Sequence, residues 1–307
     1  GVAFNKLDSL DGQVNTLWNT YMQHPSYDNF WKKMIPYKQE FAKIDIPILS
    51  ITGYYDDAQR GAIYYYNEHL KYNKNANHYL LIGPYDHWTA QDRPSSHLRD
   101  YKLDDVALLD IRYEICFQWF DHILKGKEKP EILKDKVNFQ VMGENKWVHK
   151  PSLSAMTDEK LILQLSNEKE NDFYKLKEEN SKQDASLKLV IDFANRENTN
   201  NADYYPWPIE KDSINLKDGL HFKSEPLQKA TSMNGSFGGD LFVSSNKKDF
   251  DFSVVLYELT PENKYFHLSY YIGRASYAEN REQRKLLEAN KLTRIQFSNS
   301  KIISKKL

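Results

Sequence analysis

The spacing of apolar positions changes near the middle of the chain. From Asp8 to about Met22, Leu10, Val14, Leu17 and Tyr21 recur at helical intervals and predict one amphipathic helix. A Pro-Ser turn follows, where Ser26 can cap a second short helix carrying Phe30, Trp31 and Met34. Ile46-Pro-Ile-Leu-Ser-Ile-Thr52 is a β-branched run of strand length bounded by Pro47 and Gly53. Asp57 to about Lys71 reads as a helix, and Tyr79-Leu-Leu-Ile82 as a second short strand stopped by Gly83-Pro84. Strand, helix and strand in this order make a βαβ unit, so the two strands are expected to be parallel and buried. Asp104 stands where it can cap the most regular helix. There Val106, Leu109, Tyr113, Phe117, Phe120 and Leu124 follow a helical period, and Gly126 marks the C-terminal end.

Beyond Pro130 the period shortens to two. Val137–Val141, Lys160–Leu165, Leu187–Ile191, Gly239–Val243, Phe252–Leu256 and Tyr265–Tyr270 alternate apolar and polar residues. Strands set between Gly-, Asn-, Pro- and Lys-rich turns predict an antiparallel sandwich. The charged stretch Asn167–Asp184 reads as a solvated excursion, and no internal repeat is visible.

Composition adds limits. A length of 307 residues fits two domains on a loose prior. Lys plus Arg number 42 and Asp plus Glu 43, a net charge of -1 that lacks the basic excess of a nucleic-acid binder. Mean hydropathy is -0.74, yet aromatic residues make up 14 %, which disordered chains do not reach. The apolar runs are only a few residues long, far short of the roughly 20 that a membrane helix needs. The single cysteine, Cys116, excludes an intrachain disulfide and a cysteine-based metal site, and reads as a small core residue.

Open α/β sheets place ligands at the carboxyl ends of their strands. Two ionisable residues stand there. Asp56 follows the first strand in Gly53-Tyr-Tyr-Asp56, and His87 follows the second in Gly83-Pro-Tyr-Asp-His87. One crossover separates them, so neighbouring parallel strands would bring a carboxylate beside an imidazole, which holds the ring in one tautomer. The simpler readings are that Asp56 or Asp57 caps the following helix and that His87 is a loop residue. The flanking glycines, which permit sharp turns at both strand ends, weigh toward chemistry. Asp57, Trp88 and Tyr55, which flank the pair, are candidate substrate-contacting residues, with packing an equal alternative for Trp88. His69 and His78 flank a turn and read as surface. The loop Tyr204-Tyr-Pro-Trp207 reads as a fold-over that shields a sheet edge. No cluster has metal-ligand spacing.

Six segments in order resemble the CocE/NonD serine hydrolase superfamily, which comprises the cocaine esterases, α-amino-acid ester hydrolases and X-Pro dipeptidyl-peptidases. They are His24-Pro-Ser-Tyr-Asp-Asn-Phe-Trp31, Pro47-Ile-Leu-Ser-Ile-Thr-Gly-Tyr-Tyr-Asp56 and Leu81-Ile-Gly-Pro-Tyr-Asp-His87, then Trp119-Phe-Asp-His-Ile-Leu-Lys-Gly126, Val141-Met-Gly-Glu-Asn-Lys-Trp147 and Asp249-Phe-Asp-Phe-Ser-Val-Val-Leu-Tyr257. The resemblance implies a partial α/β-hydrolase followed by an all-β jelly-roll sandwich. Residues 1–45 would be the end of a helical cap, 46–135 the C-terminal part of the hydrolase domain, and 136–307 the jelly roll. It implies Asp56 as triad acid and His87 as general base, with an ester, amide or peptide as substrate. It implies no cofactor, nucleic acid or membrane, and it leaves a homo-oligomer open.

The chain departs from the family in two places. The family's nucleophile sits in Gly-x-Ser-Tyr-x-Gly, and no Gly-x-Ser-x-Gly occurs here. The nearest string, Asn234-Gly-Ser-Phe-Gly-Gly239, has Asn in the first position and falls among the antiparallel strands, so Ser236 reads as a turn residue. The elbow is therefore expected upstream of Gly1, and Lys301–Leu307 is expected to be followed by further strands. An internal start makes the lack of a leader at Gly1–Leu7 uninformative about compartment. The ester hydrolases also carry Asp-Gln-Glu-Asp after the acid to bind a substrate ammonium. Here Asp56-Asp57-Ala58-Gln59 lacks the two matching carboxylates, which argues against a strict α-amino requirement, although Asp57 or Asp86 could compensate in part. The expected function is serine-type acyl hydrolysis completed from outside this segment. The alternative is a non-catalytic binding or assembly module on an inactive remnant.

Overall fold

The computed structural model describes residues 3–10, 12–179, 185–192, 194, 206–217 and 219–307. A 3-10 turn (Phe4–Leu10), α1 (Thr16–Gln23), α2 (Asn29–Lys32) and a second 3-10 turn (Lys38–Lys43) precede the first strand. The single helix expected over Asp8–Met22 is broken. Gly12 takes φ 66°, and Asn15 starts α1 afresh by accepting the Trp18 N–H at 2.9 Å. Asp28, not Ser26, caps α2 by accepting the Phe30 N–H at 2.9 Å, while the Ser26 hydroxyl meets that of Tyr277.

The βαβ unit follows as β1 (Ile48–Gly53), α3 (Gln59–Tyr72) and β2 (His78–Gly83). The strands are parallel, in register from Ile48 opposite His78 to Gly53 opposite Gly83. Leu80, Leu81 and Ile82 are fully buried, as a strand covered on both faces requires. His69 and His78 are buried too, correcting the surface reading. Their Nδ1 atoms lie 3.1 Å apart, His69 Nε2 lies 3.0 Å from the Ile44 carbonyl, and His78 Nε2 lies 2.8 Å from the Ser50 hydroxyl.

After a two-residue ladder of β3 (His97–Leu98) and β4 (Tyr101–Lys102), the helical segment departs from expectation. Asp104 does not cap it, because its carboxylate accepts from Gln140 Nε2 at 2.7 Å and the Gly143 N–H at 2.9 Å. Instead Asp110 caps a π-turn at Ile111–Ile115 that leads into α4 (Cys116–Lys125), closed by Gly126 at φ 68°. A π-turn holds one extra residue and rotates the helix phase by about 100°. Ile111, Ile115 and Trp119 are buried, whereas Tyr113, Phe117, Phe120 and Leu124 stay more than half exposed. Cys116 is half-buried at the start of α4, where burial raises its pKa.

Val137–Val141 forms β5, but it is not a sandwich strand. It pairs parallel with β2, and β6 (Lys146–Lys150) pairs antiparallel with it, giving the order β1-β2-β5-β6. The polar residues of β5 are buried and bonded rather than facing water. Asn138 Nδ2 donates to the Asp135 carbonyl at 2.7 Å, and Gln140 reaches Asp104.

The remaining strands are β7 (Gln164–Glu170), β8 (Phe173–Lys177), β9 (Glu210–Lys211), β10 (Phe222–Ser224), β11 (Ser232–Gly235), β12 (Gly238–Val243), β13 (Asp251–Leu259), β14 (Tyr265–Arg274), β15 (Thr293–Ser298) and β16 (Ile303–Lys306). They pair as β10-β8-β7, β13-β14-β9, β12-β15 and β11-β16. The β7–β8 hairpin occupies most of the expected excursion, whose residues 180–184 lie outside the described ones. Leu187–Ile191 is not a strand, and Val190 and Ile191 face solvent. Of the aromatic loop, Tyr204 and Tyr205 lie outside the described residues, and Trp207 is exposed beneath the Arg99 guanidinium.

One apolar core crosses the chain. Leu80, Ile82, Tyr85 and Phe139 pack in the same cluster as Phe266, Leu268 and Ile303. The tie continues in the backbone: the Met142 N–H donates to Ser304 at 3.1 Å, and the Lys306 N–H to Met142 at 2.9 Å.

Candidate active site

Because β1 and β2 end level at Gly53 and Gly83, the loops that follow leave the same sheet edge. The loops zip together: the Tyr54 N–H donates to Gly83 at 2.9 Å and the Tyr55 N–H to Tyr85 at 3.0 Å. This approach requires glycine at position 53, where a Cβ would lie 2.0 Å from the Tyr85 carbonyl oxygen.

The structure brings Asp56 and His87 together. Asp56 is 6 % exposed, and its Oδ1 lies 3.3 Å from His87 Nδ1. The same oxygen accepts the Ala58 N–H at 2.8 Å, so the carboxylate steadies the start of α3 and faces the imidazole at once. An accepting carboxylate places the proton on Nδ1 and leaves the lone pair on Nε2. The ring is 54 % exposed on its side chain, and Nε2 lies 3.3 Å from Gln91 Nε2. This buried carboxylate behind an accessible imidazole can take and return a proton at Nε2.

The other candidates divide. Trp88 is exposed and sets its ring edge-on to His87 at 5.4 Å. Tyr55 is buried in the core, and its hydroxyl donates to the His267 carbonyl at 3.0 Å. Asp86 Oδ1 accepts from the N–H groups of Trp88 and Thr89 and from the Thr89 hydroxyl, so it folds its own turn. Asp57 Oδ1 accepts from the Tyr270 hydroxyl and lies 3.4 Å from Lys301 Nζ. Ser236 sits between the antiparallel strands β11 and β12, not between a strand and a helix.

Sequence reasoning missed two residues beside the pair. Lys301 is 3 % exposed; its Nζ donates to the Asp56 carbonyl at 3.1 Å, and burial lowers its pKa. Gln59 is fully buried at the head of α3. Its Nε2 donates to the carbonyls of Gly53 and Ile302, both at 3.0 Å, and its Oε1 accepts the Ile302 N–H at 2.7 Å. No local signal marks either, since Gln59 meets Ile302 and Lys301 meets Asp56 across more than two hundred positions. Among the described residues, no group of three or more His, Cys, Asp and Glu side chains is placed to hold a metal ion, and no helix is long and apolar enough to cross a membrane.

Comparison with known proteins bears on this geometry. Residues 133–304 match the model of the X-Pro dipeptidyl-peptidase C-terminal non-catalytic domain, and residues 5–89 match X-Pro dipeptidyl-peptidase of the S15 family. No curated protein matches the chain. Several solved structures share its fold. An aminopeptidase from a marine sediment Thaumarchaeota archaeon superposes with TM-score 0.71 at 19 % identity, over 98 % of this chain and 52 % of its own. An α-amino acid ester hydrolase gives 0.67 at 20 % identity, over 98 % and 52 %. A CocE/NonD family hydrolase from Staphylococcus aureus gives 0.62 at 16 %, over 95 % and 49 %. The chain thus spans about half the length of these structures. The likeness establishes an α/β-hydrolase part followed by a β-rich part. With that family model covering more than half of its residues, the chain belongs to the family of the X-Pro dipeptidyl-peptidase C-terminal non-catalytic domain.

Proposed function

We propose that this chain supplies the acid and the base of a serine-type hydrolase of ester or amide acyl bonds. The observation that carries the reading is the buried Asp56 carboxylate 3.3 Å from Nδ1 of an accessible His87, at the level ends of two parallel strands. His87 Nε2 takes the proton of a serine hydroxyl as that oxygen bonds the acyl carbon. The imidazolium, steadied by Asp56, then gives the proton to the departing alcohol or amine. Water enters by the same route in reverse and releases the acid. The serine comes from outside these 307 residues, since no nucleophile elbow occurs within them. The β-rich part, whose family model is described as non-catalytic, acts as support.

A finer reading concerns the substrate's amino end. Asp57 already faces the Lys301 ammonium, and Asp86 is occupied by its own turn. Neither carboxylate is a free partner for a substrate ammonium, so the complete hydrolase does not require one.

Fluorophosphonate labelling tests the first reading. The 307-residue chain should leave every serine unlabelled, and the coding sequence upstream of Gly1 should encode Gly-x-Ser-Tyr-x-Gly. Labelling of a serine within the chain, lost in His87→Ala, would overturn the placement of the nucleophile. Matched esters with and without an α-amino group, offered to the complete hydrolase, test the second. A large preference for the amino ester refutes it.

A further inference from the structure

We infer that Lys301, seconded by Gln59, is a positioning residue for the Asp56–His87 pair, so that the segment between β15 and β16 sets the geometry of the site. The inference rests on the proposed roles of Asp56 and His87. Asp56 sits on the short loop between β1 and α3, and the segment between β15 and β16 grips that loop at three successive places. Lys301 Nζ donates to the Asp56 carbonyl at 3.1 Å and approaches Asp57 Oδ1 at 3.4 Å. The Gln59 amide exchanges a reciprocal pair of hydrogen bonds with Ile302, at 3.0 and 2.7 Å.

The grip is itself braced. The Lys301 N–H donates to Asn299 Oδ1 at 3.1 Å, and Asn299 Nδ2 donates to the Ser269 hydroxyl at 3.0 Å. Tyr270 completes the enclosure, with its ring 4.9 Å from the ammonium and its hydroxyl on Asp57. A buried ammonium is tolerated only where oxygens and a π-face replace its water. Here those oxygens belong to the loop that carries the acid, so the cost of burying Lys301 is recovered only when the loop holds this shape. Displacing the loop strands the ammonium, and keeping the ammonium satisfied keeps Asp56 against His87.

The test needs no turnover. Long-range proton–nitrogen NMR of the imidazole tells the Nδ1–H from the Nε2–H tautomer, and amide exchange at Ala58 reports whether the Asp56 carboxylate still accepts its N–H. In the unsubstituted chain His87 should be the Nδ1–H form. Asp56→Asn should abolish that preference, and its failure to do so refutes the pairing of Asp56 with His87. Lys301→Met, with Asp56 intact, should lose the same preference and exchange the Ala58 amide about tenfold faster, as local opening becomes easier. If Asp56→Asn acts but Lys301→Met leaves tautomer and exchange unchanged, the positioning role is overturned while the pair stands. Should Lys301→Met fail to fold, Lys301→Gln, which keeps a donor and removes the charge, is read by the same two signals.

Discussion

Acid should destabilise this protein through one buried histidine. His78 is 1 % exposed, and burial, with the nearby His69 and Lys136, pushes its pKa from 6.5 down to about 4. The hydrogen bonds explain how it stays neutral. The Ile44 carbonyl can only accept, so His69 donates from Nε2 and presents an unprotonated Nδ1. His78 therefore donates from Nδ1 to His69, and its own Nε2 accepts from the Ser50 hydroxyl. The folded state thus favours neutral His78, while the unfolded chain binds a proton near the ordinary value. Stability is full above pH 6.5 and falls as pH drops through the interval to about 4. Single-site linkage over that interval gives a loss of about 2 kcal/mol by about pH 5, and about 3 kcal/mol below both values. Urea denaturation at about pH 7.5 and about pH 5, on the unsubstituted chain and on His78→Gln, isolates this contribution. The unsubstituted chain should lose about 2 kcal/mol more than the variant. Equal losses would refute the buried neutral state.

Four substitutions probe other parts of the molecule. Gly53→Ala should cost about 3 kcal/mol, read from the denaturant midpoint, because its Cβ would meet the Tyr85 carbonyl; an unchanged midpoint means that the loops can part cheaply. On α4, Trp119→Ala should cost about 3–5 kcal/mol, whereas Phe117→Ser should stay within about 0.5 kcal/mol; equal effects would contradict the assigned helix phase. Gln59→Leu should cost about 1–3 kcal/mol by stranding the Ile302 N–H in the core, and an unaltered melting temperature would show that the pair contributes nothing.

The parts legible in the sequence are those whose cause is local. The β-branched run before Gly53 and the apolar run before Gly83 marked β1 and β2, and the two glycines fixed where the loops turn. Asp56 and His87 were visible because chain order and one crossover place both at the same edge. Where the cause was distant or irregular, reading failed. The face of α4 was misjudged because Ile111, Ile115 and Trp119 and the stripe of Tyr113, Phe117, Phe120 and Leu124 both recur at helical intervals, and periodicity does not tell which of two apolar faces meets the core. Val137–Val141 alternates like a half-exposed strand, yet Asn138 and Gln140 are buried and bonded within the protein, which alternation cannot distinguish from water. Lys301 stood in a stretch read only as leading into further strands, because the oxygens that need it are supplied from the first sixty residues.

The hydrogen bonds between Gln59 and Ile302 span 243 positions, and this separation puts an order on biosynthesis. A growing chain that has already exposed Asp56 and His87 must wait for about two hundred further residues before the loop can be gripped, on the order of 10–40 s at 5–20 residues per second. Contacts of such high order close late in folding, after the loop entropy between them has been overcome. Both halves of the pair thus exist well before the pair can be held in place. A nascent product thus exposes Asp56 and His87 before Lys301 and Ile302 have been made to hold the loop between β1 and α3.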